Sequence, residues 1–158
     1  MRFLVFSTPD ALSRARPPVR AFLAFSALAV AAFAALRVLQ GGLTSAGVEE
    51  RYLAGGEPLP AVALWEEVHS GAFLYGFLLF MLASLLAVSP VPARARAALL
   101  GVALAATLAD LFAPFAIVAA GGGGGLRVVT FVVAVGALAA QLAAAAVAFG
   151  RPGRNGRV

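Results

Sequence analysis

Read as a string of apolar and polar positions, the chain falls into four long apolar runs parted by short segments rich in Gly, Pro and charge. The runs cover roughly 21–40, 67–88, 97–120 and 128–149, and each reaches the roughly 20 residues a helix needs to cross a hydrocarbon core. Lipid offers a backbone no hydrogen-bond partner, so a spanning segment is either a helix or a strand of a closed barrel. The runs lack the alternation of barrel strands. The predicted fold is therefore all-α: a polytopic membrane protein with four transmembrane helices in an up-down bundle. Residues 1–20 form a cytoplasmic or interfacial N-terminal segment, 41–66 an outer loop, 21–149 as a whole the transmembrane domain, and 150–158 a basic tail.

Composition agrees with this pattern. Of 158 residues, 62% are hydrophobic and only 12% charged, against about 25% charged in a soluble domain, and the mean hydropathy is +0.96. Cysteine is absent, which excludes a disulfide framework, a thiolate nucleophile and cysteine-based zinc or iron–sulfur sites. The net charge of +5 comes from arginines with no lysine. They lie at membrane boundaries and not in a patch suited to nucleic acid.

Their distribution also orients the chain, because basic loops are retained in the cytoplasm. Arg2, Arg14, Arg16 and Arg20 precede the first run, Arg94 and Arg96 sit in the second connection, and Arg151, Arg154 and Arg157 are in the tail. Only Arg37, Arg51 and Arg127 fall on the other side, together with Glu49, Glu50, Glu57, Glu66 and Glu67. Both termini are expected in the cytoplasm. The first run is too long for a signal peptide and is read as an uncleaved anchor. Ahead of it, Ser7 or Thr8 as cap, Pro9 and Asp10 form a helix-start signature, for either a short interfacial helix or an unstructured tail. "GGGGG" at 121–125 lacks the ending of a phosphate-binding loop and is read as a flexible hairpin linker. Gln141 is expected to make a helix-to-helix hydrogen bond within an alanine-rich packing face.

Polar residues inside the spans carry the candidate chemistry, since an acid near the middle of a membrane helix costs at least ~2.5 kcal/mol on insertion scales. Asp110 is the one acid away from a boundary. If the second and third runs are antiparallel neighbours across "SPVPARAR", Asp110 lies level with Leu74 and Tyr75, and Tyr75 can donate to it. His69, the only histidine, then stands about 7–8 Å nearer the outer surface. Glu66, His69, Phe73 and Gly76 share one helix face by spacing. Arg37, Glu66 and Glu67 occupy one membrane level and form an outer polar cluster, with Arg37 expected to approach one of the two acids. Pro114 cannot donate to the carbonyl of Asp110 and should kink the helix there. The alternative for Glu66 and Glu67 is that they complement a helix dipole beside an interfacial Trp65; for Asp110, that it is a structural acid.

The succession "LTSAGVEERYLAGGE", then "LWEEVH" opening a helix, then "ADLFAPF" in the next resembles a group of small, functionally uncharacterised bacterial four-helix membrane proteins. The resemblance covers roughly residues 43–116 and rests on Glu67, His69, Asp110 and Pro114. It implies fold and site location only. Members of that group tend to carry a second histidine where this chain has Gly71, so a two-histidine ligand set is incomplete here.

Two functions follow as expectations. One is a non-enzymatic subunit or scaffold of a membrane complex in a bacterial inner membrane, surrounded by lipid and by other subunits or copies of itself. The other is a path for protons, or a quinone or heme site, lined by His69, Tyr75 and Asp110. A single histidine leaves heme or metal ligation in need of a further ligand. The motifs of serine hydrolases, zinc proteases and P-loop NTPases are absent, so catalysis has no visible support.

Overall fold

The computed structural model describes residues 9–150, with side chains from Pro17 to Phe149. The expected Ser7 or Thr8 cap and the basic tail after Gly150 lie outside the described residues. Five helices follow one another: α1 (Pro9–Gly41), α2 (Ser45–Tyr52), α3 (Ala61–Ala87), α4 (Ala93–Ala120) and α5 (Gly124–Gly150), with one 3-10 turn at Ala54–Gly56 after α2. Four of them hold stretches of 25 to 28 residues apolar enough to span a membrane: Pro17–Gly41, Ala61–Ala87, Ala93–Ala120 and Gly124–Phe149. At 1.5 Å per residue these are about 40 Å long, more than the ~30 Å hydrocarbon core, so their ends reach the headgroup level. This is a multi-pass membrane protein.

The helices begin earlier than the apolar runs. Helix α3 starts at Ala61, directly after Pro60 in an extended conformation, so Glu66 and Glu67 lie in its second turn. Helix α4 likewise starts after Pro92, with Arg94 and Arg96 in its first turn. In both the proline is the N-cap, where its fixed φ suits the extended residue before the first turn and its missing N–H leaves no donor to satisfy. The 41–66 connection, read from sequence as an outer loop, contains α2. Its N-cap is Thr44, whose hydroxyl accepts from the Gly47 amide at 3.1 Å. Pro114 sits inside α4 without ending it.

Helix α5 packs against α1, α2, α3 and α4. Helices α4 and α5 both bury small residues, Ala103 and Ala113 on α4 and Ala134 and Ala145 on α5, and small buried side chains let helices approach closely in lipid, where hydrophobicity supplies no drive. Gln141 spans the same seam, donating to the Leu99 carbonyl at 3.0 Å. The buried line of α3 is Leu64, Val68, Gly71, Tyr75, Leu78, Leu82 and Leu86. At its far end Arg96 donates to the carbonyls of Leu86 and Ala87 at 3.1 and 2.9 Å, satisfying groups that a helix C-terminus leaves open. A second, smaller core of Val48, Tyr52, Leu64 and Ile117 seats α2 on the bundle. Large apolar side chains such as Phe25, Phe73 and Phe80 face outward, as a lipid-facing surface requires.

The glycine run is an ordered corner. Gly121 closes α4 in the left-handed region with φ 66°, a position that favours glycine. Gly123 also has positive φ. The amides of Gly123 and Gly124 donate to Glu49 Oε1 at 3.0 and 2.8 Å, so α2 caps the start of α5 with a carboxylate. A Cβ on Gly124 would stand 2.3 Å from the Ser45 carbonyl oxygen, which is why this crossing takes glycine. The hairpin expected to be a flexible linker is therefore an anchored turn.

Candidate buried ion site

Glu67 is the centre of the site. It stands one turn from Leu64 and from Gly71 on α3, so its side chain points between the helices and is 12% exposed. Three arginines from three other helices reach it. Arg37, near the end of α1, donates through Nη1 to Oε1; Arg127, in the first turn of α5, donates through Nη2 to Oε1 at 3.0 Å; Arg51, on α2, donates through Nη2 to Oε2 at 3.2 Å. The Tyr52 hydroxyl adds a fourth donor, to Oε1 at 2.7 Å. Close approach around this cluster depends on Gly71, where a Cβ would meet Leu111 Cδ2 at 2.6 Å and Arg37 Nη2 at 3.7 Å.

Asp110 forms the deeper half. Its side chain is fully buried, and Tyr75 donates to Oδ2 at 2.8 Å. Arg127 joins the two halves. Its Nε lies 3.5 Å from Asp110 Oδ1, and its Nη1 donates to the main-chain carbonyl of Asp110. That carbonyl is the one Pro114 leaves without its helical donor, because proline has no N–H. The proline thus creates an acceptor inside the membrane, and a guanidinium from the next helix fills it. Phe33 packs edge-on against Tyr75 with centroids 5.2 Å apart, and the Arg37 guanidinium lies 5.0 Å from the centroid of the same ring. The cation thereby also gains from the ring quadrupole.

On α2, outside the spans, the electrostatics follow from these contacts. Burial works against the charge of Arg51, yet Glu67 beside it outweighs that and holds the guanidinium above its ordinary pKa. Burial also raises the Tyr52 phenol above its ordinary value, so it keeps the proton it donates to Glu67. Glu49 is held below the usual carboxylate value by the Gly124 amide first, then by Ser45 and the Gly123 amide.

The structure divides the sequence candidates into two faces. Tyr75, Asp110, Arg37 and Glu67 come together, with Pro114 packed beside them. Glu66 and His69 do not join them: both are exposed. The face shared by Glu66, His69, Phe73 and Gly76 is the outward one, and Glu67 and Tyr75 are on the inward one, so His69 does not line one path with Tyr75 and Asp110. Arg37 pairs with Glu67 and not with Glu66. Trp65 stands at the same level and packs against Phe115 with centroids 5.0 Å apart. An open cleft of about 500 Å³ between α1 and α3 includes Arg37, Arg51, Glu66 and Glu67 in its lining. Sequence reasoning missed Arg51, Tyr52 and Arg127 as members of the site. The available signal was that all three arginines on the less basic side had to be neutralised somewhere, and Asp110 and Glu67 are the acids nearest the membrane interior.

The fold and this site define a multi-pass, all-helical membrane protein whose spans are tied by a buried ion network. The family described as a transmembrane helical domain matches residues 42–150, well over half of the chain, and the chain belongs to that family. The matched region takes in α2 to α5 with Arg51, Glu67, Asp110 and Arg127, and leaves Arg37 outside. No curated protein and no solved structure matches the chain.

Proposed function

We propose that this protein is a non-enzymatic subunit or scaffold of a bacterial inner-membrane complex, an up-down bundle with both termini in the cytoplasm, whose outer half is held rigid by the Glu67 network. The observation that carries this reading is closure. Glu67 is surrounded by four donors, and from Tyr75 toward the other end of α3 the buried face of that helix is Leu78, Leu82 and Leu86, in one apolar cluster with Leu138 of α5. A layer of leucine seals the polar cluster from the opposite membrane face, which suits a rigid part better than a passage. The orientation rests on the nine arginines of one side against three of the other, and those three are all engaged with Glu67.

One observation favours the second reading, a proton or small-ligand path through Asp110 and Tyr75: Asp110 Oδ1 is buried and has no hydrogen-bond partner. A single experiment separates the two. The protein is purified in a mild detergent, weighed intact by native mass spectrometry, and reconstituted into vesicles containing a pH-sensitive dye. The scaffold reading expects a defined assembly with further subunits or copies and no proton flux above empty vesicles. Flux that disappears in Asp110→Asn would overturn it. Reporter fusions in the α2 connection and after residue 158 test the orientation, and a reporter active outside the cytoplasm at the C-terminus refutes it.

A further inference from the structure

Beside the ion network, where α1, α2 and α5 meet, lies a cavity of about 30 Å³. Its polar lining is Arg37, Arg51, Arg127, Gln40 and Tyr52, closed on the apolar side by Phe131 and its neighbours. All three arginines of the network reach this cavity, and neither Glu67 nor Asp110 does.

Two shortages coincide here. The first is charge: even with both acids ionised, three guanidinium cations face two carboxylates, leaving one positive charge uncompensated among side chains that are 6%, 10% and 28% exposed. A cation in a low-dielectric setting is costly unless it is paired. The second is acceptors: the Nε groups of Arg37 and Arg51 are buried with no hydrogen-bond partner, although guanidinium groups carry donors only. Water would supply an acceptor and leave the charge. A monovalent anion supplies both.

We infer that this cavity is a binding site for one small inorganic anion of the chloride or bromide type, a ligand that the scaffold reading does not require. The volume sets the class. It exceeds the roughly 10–15 Å³ needed to hold one water-sized sphere and is far below what a sulfate, phosphate or organic acid with several heavy atoms needs. Gln40 adds a polar rim with amide donors, the Tyr52 proton being already given to Glu67, and the apolar wall at Phe131 suits a large, weakly hydrated halide better than a strongly hydrated ion. The bound anion would tie α2 to α1 and α5 from the side opposite Glu67.

The test uses the full-length protein in detergent at constant ionic strength. Thermal unfolding is followed as chloride or bromide replaces gluconate, which is too large for the cavity. The expected result is a midpoint that rises and saturates with either halide and stays flat in gluconate. In Arg51→Gln the half-saturating concentration should rise about tenfold or more, the equivalent of one charge-assisted hydrogen bond. Arg94→Gln, at the other end of the bundle, should keep the full response. Crystals of the unaltered protein grown in bromide should show an anomalous peak among the three arginines, a readout that stands even if Arg51→Gln does not fold. Equal midpoints in chloride and gluconate, or a bromide map with no peak in the cavity, overturns the inference.

Discussion

Replacing Glu67 by glutamine keeps its size and one of its oxygens and removes the charge on which three cations converge. Arg37 and Arg127, with side chains 10% and 6% exposed, cannot move out to water without opening α1 or α5. Arg51 is 28% exposed and has more freedom, so its share is discounted. Removing one partner of a buried ion pair costs ~3–5 kcal/mol, chiefly because the other charge is left uncompensated, and the lower end applies here because one of the three arginines can turn outward. Glu67→Gln is therefore expected to lose about 3 kcal/mol. The assay is unfolding in mixed micelles by titration with sodium dodecyl sulfate, followed by far-ultraviolet circular dichroism. Glu66→Gln is the control. Glu66 is exposed and makes no ion pair among the described residues, so it should stay within about 0.5 kcal/mol of the unaltered chain. Glu67→Gln and Arg127→Gln combined should cost less than the sum of the two singly, by ~1 kcal/mol or more, because both remove one contact. If Glu67→Gln and Glu66→Gln unfold within about 0.5 kcal/mol of each other, the network does not hold the bundle and the reasoning fails.

Gly124→Ala should cost ~1–3 kcal/mol, as overpacking does, because its Cβ would meet the Ser45 carbonyl at 2.3 Å, whereas Gly76→Ala, with nothing within 4 Å, should gain ~0.5–1 kcal/mol from helix propensity; the same titration reads both. Glu49 has a folded pKa below the ordinary 4.5, so its contribution to the α2–α5 corner is fully present above about that pH and is lost as pH falls through the lower, folded value. Hydrogen exchange at the Gly123 and Gly124 amides, corrected for the intrinsic pH dependence of exchange, should accelerate in that acid window and should already be fast at neutral pH in Glu49→Gln.

The four spans were legible because lipid imposes length and apolarity on every helix, and both are visible in one dimension. Asp110 and its donor Tyr75 were legible too, since an antiparallel turn of known length fixes which residues lie level. What failed was the choice of face on α3. Spacing puts Glu66, His69, Phe73 and Gly76 on one face but does not say whether that face is inward, and the presence of the only histidine on it is no guide to burial. The pairing of Tyr75 with Asp110 already held the answer: a residue that reaches α4 marks the inner face, and one and two turns before Tyr75 stand Gly71 and Glu67 or Val68. Along the sequence Arg127 is only a charge at a span boundary, a one-dimensional property, while its role depends on where the first turn of α5 falls beside α4. Helix α2 was hidden for a different reason. "SAGVEERY" has low hydrophobicity and only two buried positions, Val48 and Tyr52, so no apolar stripe announces it; the Thr44 cap and the seat on Ile117 decide it.

Pro114, Asp110 and Arg127 make sense as one device. A proline within a spanning helix removes a donor that lipid cannot replace, and a buried carboxylate beside it adds a second unmet demand. Arg127 meets the first through Nη1 to the freed carbonyl and answers the second by charge alone, its Nε lying 3.5 Å from Oδ1 without a hydrogen bond, and its Nη2 reaches Glu67. A lysine could not do this, since its single ammonium group lacks the planar fork that addresses several acceptors in fixed directions. The same geometry bears on assembly order. Arg127 belongs to the last span, and until α5 is in place the Asp110 carbonyl, the Asp110 carboxylate and Glu67 all lack that partner, while α3 and α4 can already pair Tyr75 with Asp110 across their short turn. The ion network therefore closes only when α5 docks. The sealing leucines of α3 meet Leu138 of α5 at that same step, which couples the polar and the apolar halves of the bundle.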